Sequence, residues 1–587
     1  MKITTELKPF QQKTVSWLKQ QEQDYDGGLL LNEAGLGKSI CLLANVINNP
    51  LKTLIICPAG LIDNWVNEIK KHTDISRLCV MKYYGSKRKE IKIKKEQVIF
   101  ITSYSIVARE FNGTSFENGS LFNKVRFQRI ILDEAHYIRN SNSNVHKGII
   151  YLGESYSVNI KKWVVTATPI FNEPNDMFAY FKFLSLEAID SRREWTERVT
   201  KSLDGFHTLN NWIEKYGLSM KKCDVLDELK SKNEMKCHLK FTDVEKEFYD
   251  ALKEYSYARM KTLVKRIERL NRKVFEDVDG SMRKILHSNV MVFILRLKQA
   301  CNSPWLILQC MKRLHGASNM TEAVERLKFY NESKNIEEEC PICYDTIADY
   351  IAEPCGHKCC QGCWNRMFNA GIVNCPKCRE YVEDISPVNE NKCVKEVKLN
   401  IDDISSSKIN EIIKLTNDVI KKDEKIVVVS QWVSMLDLIR KVFEQKMKGV
   451  KFVSLQGDMP IKNRTQVIHQ FENDTNIKVC FVSLMSSAEG INLVSSNNLI
   501  LVDTWWNNAK MSQVMDRIHR IGQKRDVNIY KLQIEDSIEE QIEQLVNKKH
   551  KMANLILSKW CIQDKKNYDD SWIKDIIKLI EKPSEVN

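Results

Sequence analysis

Gly28-Leu29-Leu30-Leu31-Asn32-Glu33-Ala34-Gly35-Leu36-Gly37-Lys38-Ser39-Ile40 is the stretch whose reading decides the fold. Leu29 to Leu31 form an apolar run of the length of a buried strand. Ser39 to Ile47 reads as a helix behind it. Strand, glycine loop, Gly-Lys-Ser and helix is the order a phosphate cradle requires. Backbone N–H groups at the helix N-terminus face the anion. The Lys38 ammonium reaches the outer phosphates, and the Ser39 hydroxyl ligates magnesium. The pattern G-x-x-x-x-G-K-[ST] is met except at its first position, where Asn32 stands. Glu33, Ala34, Gly35, Leu36, Gly37, Lys38 and Ser39 are therefore the expected residues for binding ATP or GTP. Gln11, upstream, carries an amide that can donate to and accept from an adenine edge.

Further apolar runs follow: Leu54-Ile-Ile-Cys-Pro58, Val98-Ile-Phe-Ile-Thr-Ser-Tyr104, Arg129-Ile-Ile-Leu-Asp-Glu-Ala-His136 and Trp163-Val-Val-Thr-Ala-Thr-Pro169. Helical patterns lie between several of them. This alternation predicts a parallel sheet covered on both faces, with ligands at the carboxyl ends of its strands. Asp133 and Glu134 stand at such an end. One carboxylate there can hold magnesium while the next orients and polarises an attacking water.

From about residue 190 the pattern changes. No proline occurs between Pro174 and Pro304, and apolar residues recur at helical spacing through Phe248, Leu252, Leu263, Ile267 and Leu270 among dense Lys and Arg. Long charged helices projecting from the sheet domain are expected. Cys340-x2-Cys343, Cys355-x-His357, Cys360-x2-Cys363 and Cys375-x2-Cys378 then supply seven thiolates and one imidazole, enough for two closed tetrahedral zinc sites. Cys359 is an alternative to Cys360, although the x2 spacing to Cys363 favours Cys360. So small a segment has little core, so metal binding should supply folding free energy on the order of 10 kcal/mol.

A second strand–helix series begins at Ser405, with strands at Lys425-Ile-Val-Val-Val-Ser-Gln-Trp432, Phe452-Val-Ser-Leu455, Val479-Cys-Phe-Val-Ser483 and Leu499-Ile-Leu-Val-Asp503. It ends in Gln513-Val-Met-Asp-Arg-Ile-His-Arg-Ile-Gly-Gln523. A helix here would put Gln513, Arg517 and Arg520 on one face, able to reach across a cleft to the triphosphate.

The whole chain bounds these readings. Its 587 residues suit roughly three or four domains. Hydrophobic residues make up 43% and charged residues 28%, an ordinary globular balance. No run approaches the roughly 18 apolar residues of a membrane span, and the N-terminus is not a signal peptide, so a reducing compartment is expected. There, clustered cysteines mean metal, and scattered ones such as Cys41, Cys237 and Cys480 mean small core residues. A net charge of +13 favours anionic partners.

In this order the segments resemble the Swi/Snf family of DNA-dependent ATPases. The likeness is carried by Leu7-Lys-Pro-Phe-Gln11, the Asn32–Ser39 loop, Asp133-Glu-Ala-His136, Thr166-Ala-Thr-Pro-Ile170, Ser483 to Leu493, Val502-Asp-Thr-Trp-Trp-Asn507 and Asp516-Arg-Ile-His-Arg-Ile-Gly-Gln523. The zinc cluster between the lobes resembles the branch that joins a DNA translocase to a RING ubiquitin ligase. The resemblance implies an α/β fold of two RecA-like parallel-sheet lobes with helical protrusions and a small zinc-bound RING insert. The expected domains are an ATP-binding lobe over 1–188, a helical protrusion over 189–332, the RING over 333–390, a C-terminal lobe over 400–557 and a helical tail over 558–587.

It also implies a duplex-DNA translocase or remodeller. Lys38, Asp133, Glu134, Gln513, Arg517 and Arg520 would be catalytic, with Ser39 and Asp133 on magnesium. It pairs Cys340, Cys343, Cys360 and Cys363 on one zinc, and Cys355, His357, Cys375 and Cys378 on the other. Ile342, Trp364, Pro376 and Arg379 match the contacts of a ubiquitin-conjugating enzyme and ubiquitin. The family usually has Asp at Asn32, Gly at Ala167, Gln at Phe171, a Gly-Gly pair at Ser487-Ala488 and His at Ser303. The chain opens directly at the Gln11 motif, so targeting is expected from partners or DNA structure. No membrane partner is expected, and the location is the nucleus, or a cytoplasmic viral factory if the Lys-, Asn- and Ile-rich composition reflects a large DNA virus. Competing readings are an RNA helicase, since Asp-Glu-Ala-His occurs there too, and a DNA-bound ubiquitin ligase or scaffold with a vestigial motor.

Overall fold

The computed structural model describes residues 2–74, 79–90, 92–93, 98–155, 160–170, 174–202, 204–226, 230–272, 291–310, 319–332, 340, 350–353, 358–369, 373, 382, 384–387, 405–456, 459, 461–484, 493–505 and 508–544. Among them no helix is long and apolar enough to cross a membrane.

Lobe one is built on β1 (Gly27–Leu30), β2 (Thr53–Cys57), β3 (Val80–Lys82), β4 (Ile99–Ser103), β5 (Arg129–Asp133), β6 (Lys161–Val165) and β7 (Gly217–Leu218). They form one sheet in the order β3-β4-β2-β5-β6-β1-β7, and neighbouring strands are parallel. β1, β2 and β4 are buried along their whole length, as their unbroken aliphatic runs require in a sheet covered on both faces. The Pro9–Asp24 helix is tied beneath the sheet by charge. Arg129, fully buried at the start of β5, donates from Nε to Glu22 Oε1 at 2.6 Å and from Nη2 to Oε2 at 2.7 Å. Trp163 Nε1 and Asn45 Nδ2 donate to the same carboxylate, at 2.8 and 2.9 Å. Burial alone would raise the pKa of Glu22, but these donors outweigh it and hold the carboxyl below its usual range.

Lobe one does not stop near residue 188. Trp195, Leu209, Trp212, Ile213 and Tyr216 sit in the same core as Leu29, Phe181 and Leu184, and β7 pairs with β1. The chain then crosses over at once. β8 (Lys232–Leu239) is the edge strand of lobe two, paired with its last strand over eight residues. The segment expected as a projecting protrusion is thus divided between the lobes. The Asp243–Arg272 helix buries Phe248, Tyr249, Leu252 and Tyr255 in the lobe-two core, together with Ile294, Leu297, Trp305 and Leu327. The side chains of its basic half, residues 261–272, lie outside the described residues.

The RING region contributes a small antiparallel sheet of β9 (Tyr350–Glu353), β10 (Lys358–Cys359) and β11 (Asp384–Pro387) in the order β10-β9-β11, and the Gln361–Asn369 helix. The chain enters it from the Met320–Glu332 helix and leaves it towards Ser407–Lys421, and both helices bury residues in lobe two. Lobe two itself comprises β12 (Ile426–Ser430), β13 (Lys451–Leu455), β14 (Ile477–Ser483), β15 (Asn498–Leu501) and β16 (Val527–Ile534). Its six-stranded parallel sheet runs β13-β14-β12-β15-β16-β8. A buried pair, Lys408 to Glu539 at 2.7 Å, locks the helix after the RING to this sheet. Lys408 also donates to the Val502 carbonyl and to Asn302 Oδ1.

Candidate nucleotide cleft and RING zinc site

The glycine loop follows β1, and Asp133 ends β5 with Glu134 directly after it, two strands away in the sheet. Gly35 (φ +88°) and Gly37 (φ +78°) carry the left-handed backbone that turns the loop into the Lys38–Asn48 helix. Lys38 Nζ donates to the carbonyls of Asn32 and Glu33 at 2.8 and 3.3 Å, curling the loop around the ammonium. Desolvation lowers the Lys38 pKa, and the nearby carboxylates of Glu134 and Asp133 oppose that shift.

Asp133 Oδ2 accepts from Trp65 Nε1 at 2.8 Å, and Oδ1 from the Glu134 amide at 3.1 Å. Burial and the adjacent Glu134 raise its carboxyl to about 6, against the pull of Trp65 and Lys38. Two acids so crowded fit a divalent cation, and the Ser39 hydroxyl lines the same cleft. Glu134 adopts φ +52°, a strained conformation for a non-glycine residue, which aims its carboxylate into the cleft. Burial raises its pKa, but His136 at 3.4 Å, Lys38 and Arg517 outweigh that and hold it ionised. Tyr104 donates from its hydroxyl to the Asp133 carbonyl at 2.8 Å and stacks on Tyr137 at 5.2 Å.

Lobe two closes the other side. Gln513, Arg517 and Arg520 line one cleft of about 460 Å³ with Gly35, Lys38, Ser39, Asp133 and Glu134. Gln513 Nε2 donates to Glu134 Oε2 at 3.4 Å. The Asn508–Met515 helix ends before the arginines, so they project from the irregular segment after it rather than from one helical face.

Three expected nucleotide contacts lie elsewhere. Gln11 is buried behind the loop, with Oε1 accepting from the Lys8 amide and Nε2 donating to the Leu36 carbonyl, so it buttresses the loop rather than lining the cleft. Leu36 is a core residue. Glu33 turns its carboxylate to the Lys222 amide at 2.7 Å. Asn32, the departure from the loop pattern, accepts from the Met220 amide at 3.0 Å through its side chain. Residues missed in the sequence also reach the cleft: Trp65, marked only by following Pro58 at the end of a strand, and Arg464 and Thr465 on the Ile461–Asn473 helix.

In the RING, the Sγ atoms of Cys340, Cys360 and Cys363 all lie within 4.8 Å of one another. Three buried thiols at that spacing fit tetrahedral zinc. Among the described residues Cys360 joins this group and Cys359 does not, in line with the x2 spacing. Arg366 Nη2 donates to Cys363 Sγ at 3.0 Å. Trp364 corrects an expectation. Its ring is fully buried among these cysteines, Met367 and Val382, and stacks on Phe368, so it forms the RING core and no docking surface. Cys343, Cys355, His357, Cys375, Cys378, Ile342, Pro376 and Arg379 lie outside the described residues.

Two parallel-sheet lobes that share a phosphate-loop cleft, with a thiolate-rich finger between them, define a two-lobed helicase-like ATPase core carrying a RING. Comparison with known proteins agrees. An SNF2-related domain matches residues 10–306, a helicase conserved C-terminal domain residues 407–522, and a zinc finger of C3HC4 type (RING finger) residues 336–385. The chain belongs to the SNF2-related family. It is 28% identical over 568 residues to DNA repair protein RAD5A of Arabidopsis thaliana, covering 89% of this chain and 52% of that protein. It is 29% identical over 538 residues to the human Helicase-like transcription factor, covering 87% and 51%. To the ATP-dependent helicase rhp16 of Schizosaccharomyces pombe it is 29% identical over 647 residues, covering 98% and 70%. The chain thus spans about half the length of the first two relatives.

Proposed function

We propose that the chain is an ATP-driven translocase that acts on duplex DNA, or on proteins bound to it, and that its RING serves as a ubiquitin ligase. The observation that carries the motor reading is the cleft itself, where Lys38, Asp133 and Glu134 from lobe one face Gln513, Arg517 and Arg520 from lobe two. Catalysis split across two lobes is the geometry in which nucleotide binding closes a cleft and product release opens it. The names of the relatives, a DNA repair protein and an ATP-dependent helicase, support DNA and ATP as partner and fuel.

In this reading Lys38 leaves the loop carbonyls for the outer phosphates of ATP. Asp133 and Ser39 would hold magnesium, which would supply positive charge against the phosphate oxygens. Glu134 orients the attacking water and accepts its proton, with Gln513 fixing the carboxylate. Arg517 and Arg520 stabilise the charge that develops on the transferred phosphoryl group, an effect worth about 10³–10⁵ in rate. In the RING, Cys340, Cys343, Cys360 and Cys363 would hold one zinc, and Cys355, His357, Cys375 and Cys378 would hold a second. Ile342, Pro376 and Arg379 meet a ubiquitin-conjugating enzyme and ubiquitin. A nuclear role in DNA repair, chromatin or transcription follows from these partners.

The test compares ATP hydrolysis by the full chain alone, with duplex DNA and with RNA, and adds ubiquitin-chain formation with a panel of conjugating enzymes. Stimulation by duplex DNA alone supports the motor. Equal stimulation by RNA favours an RNA helicase, and no chains with any conjugating enzyme reduces the RING to a structural part.

A further inference from the structure

Lys222 lies one turn beyond the last strand of lobe one and takes no part in the phosphate-loop apparatus described above. Its backbone belongs to lobe one. The segment from Leu218 runs along the start of the phosphate loop: Leu31 donates to the Leu218 carbonyl at 2.8 Å, Glu33 to the Met220 carbonyl at 2.9 Å, and the Lys222 amide to Glu33 Oε2 at 2.7 Å. Its ammonium belongs to lobe two. Lys222 Nζ pairs with Asp516 Oδ1 and donates to the His519 carbonyl at 2.9 Å, with Glu33 Oε1 at 3.9 Å. The side chain is 5% exposed, so this charge is satisfied almost wholly by the other lobe.

Asp516 and His519 bracket Arg517 and precede Arg520. The fit at this point is tight. A Cβ at Gly35 would stand 3.3 Å from Lys222 Cε and 3.4 Å from Arg520 Cβ, so the phosphate loop, the lysine and the arginine segment touch one another. Opening the cleft would break the contact of the ammonium with Asp516 and with the His519 carbonyl and return both charges to water, so the pair favours the closed arrangement by what its ion pair and hydrogen bond gain over hydration.

We propose that Lys222 is a positioning residue that latches the lobes, fixing the Asp516–Arg520 segment over the phosphate loop so that both arginines meet the triphosphate. The proposal rests on the reading of the cleft as a site of ATP hydrolysis. Lys222 touches no reacting atom in this scheme and acts through Asp516 and the His519 carbonyl.

Two measurements on the full chain test it. The first is amide hydrogen exchange without nucleotide, which is independent of activity. Lys222→Ala should speed exchange over Asp516–Arg520 about tenfold or more while the strands of both lobes keep their protection. The second is steady-state hydrolysis. Lys222→Ala should lower kcat about tenfold or more and change the affinity for a fluorescent ADP analogue less than twofold, whereas Lys222→Arg keeps most of the rate. The exchange Lys222→Asp with Asp516→Lys should be faster than the product of the two single losses. Unchanged exchange over Asp516–Arg520 overturns the latch. So does a wild-type kcat in Lys222→Ala, or a loss of protection spread evenly over both lobes. A wild-type chain that hydrolyses no ATP, yet shows exchange at Asp516–Arg520 that depends on Lys222, upholds the latch and overturns the hydrolysis reading.

Discussion

Gln513 of lobe two donates to the carboxylate of Glu134 of lobe one, Nε2 to Oε2 at 3.4 Å. A residue near the end of the chain thus fixes the side chain expected to activate water, 379 positions earlier. Lys38, Arg517 and His136 keep that carboxylate ionised against the cost of burial. The closed cleft therefore holds its base charged and aligned before substrate arrives, which is the preorganisation that makes electrostatic catalysis effective.

Glu134→Gln should keep nucleotide affinity within a few fold of wild type and lower kcat by about 10²–10⁴, the contribution of a positioned general base. Lys38→Ala should abolish turnover. Titration with a fluorescent ADP analogue beside a phosphate-release assay checks both. Lost binding in Glu134→Gln would contradict its role on water, and measurable turnover in Lys38→Ala would contradict the role of the loop.

The Glu22–Arg129 pair should anchor lobe one. Glu22→Gln leaves the fully buried Arg129 cation without its counter-charge and should cost about 3–5 kcal/mol, seen as an early unfolding transition in calorimetry. The pH dependence follows from the lowered carboxyl of Glu22. A folded-state value below the unfolded one means the native state binds fewer protons. The stabilisation is then fully present above the ordinary carboxylate value of 4.5 and is lost as pH falls through the lowered value. Wild type should lose stability over that acid range, and Glu22→Gln should show a flatter profile there. Identical profiles would remove the pair from the account.

For the RING, Cys360→Ser should release zinc from the site of Cys340 and Cys363, whereas Cys359→Ser should keep the zinc content of wild type. Atomic absorption on the purified variants reads this directly. Both variants should retain ATP hydrolysis within about twofold, because the lobes bury their own cores. Collapse of hydrolysis together with zinc would mean that the finger is integral to the motor.

The strands on either side of the cleft were legible because each is an unbroken aliphatic run ending in polar residues, as in Arg129–Asp133 and Ile426–Ser430. The edge strand Lys232–Leu239 was not. It is largely exposed and has no unbroken apolar run; its mark is the alternation of Met235, Cys237 and Leu239 with Lys236 and His238, and pairing with Val527–Ile534 places it in lobe two. The phosphate loop, the acid pair and the arginine segment could each be located from local motifs. Their meeting in one cleft was expected from the order of these motifs, and the sheets that bring them together join residues hundreds of positions apart. Gln11 and Trp364 show the opposite limit. Both match a motif, but motif spacing does not report which way a side chain faces, and burial turns one against the phosphate loop and the other into the RING core. Lys222 carried no signal in one dimension, because its partner Asp516 lies 294 residues away.

The central claim is that lobe-two arginines complete a catalytic site begun in lobe one. ATP hydrolysis by the full chain with saturating duplex DNA, wild type against Arg517→Ala, tests it most directly. The account predicts DNA-stimulated turnover in wild type, a fall of about 10³–10⁵ in kcat in the variant, and nucleotide affinity changed by no more than a few fold. An Arg517→Ala chain that hydrolyses ATP at the wild-type rate would contradict it.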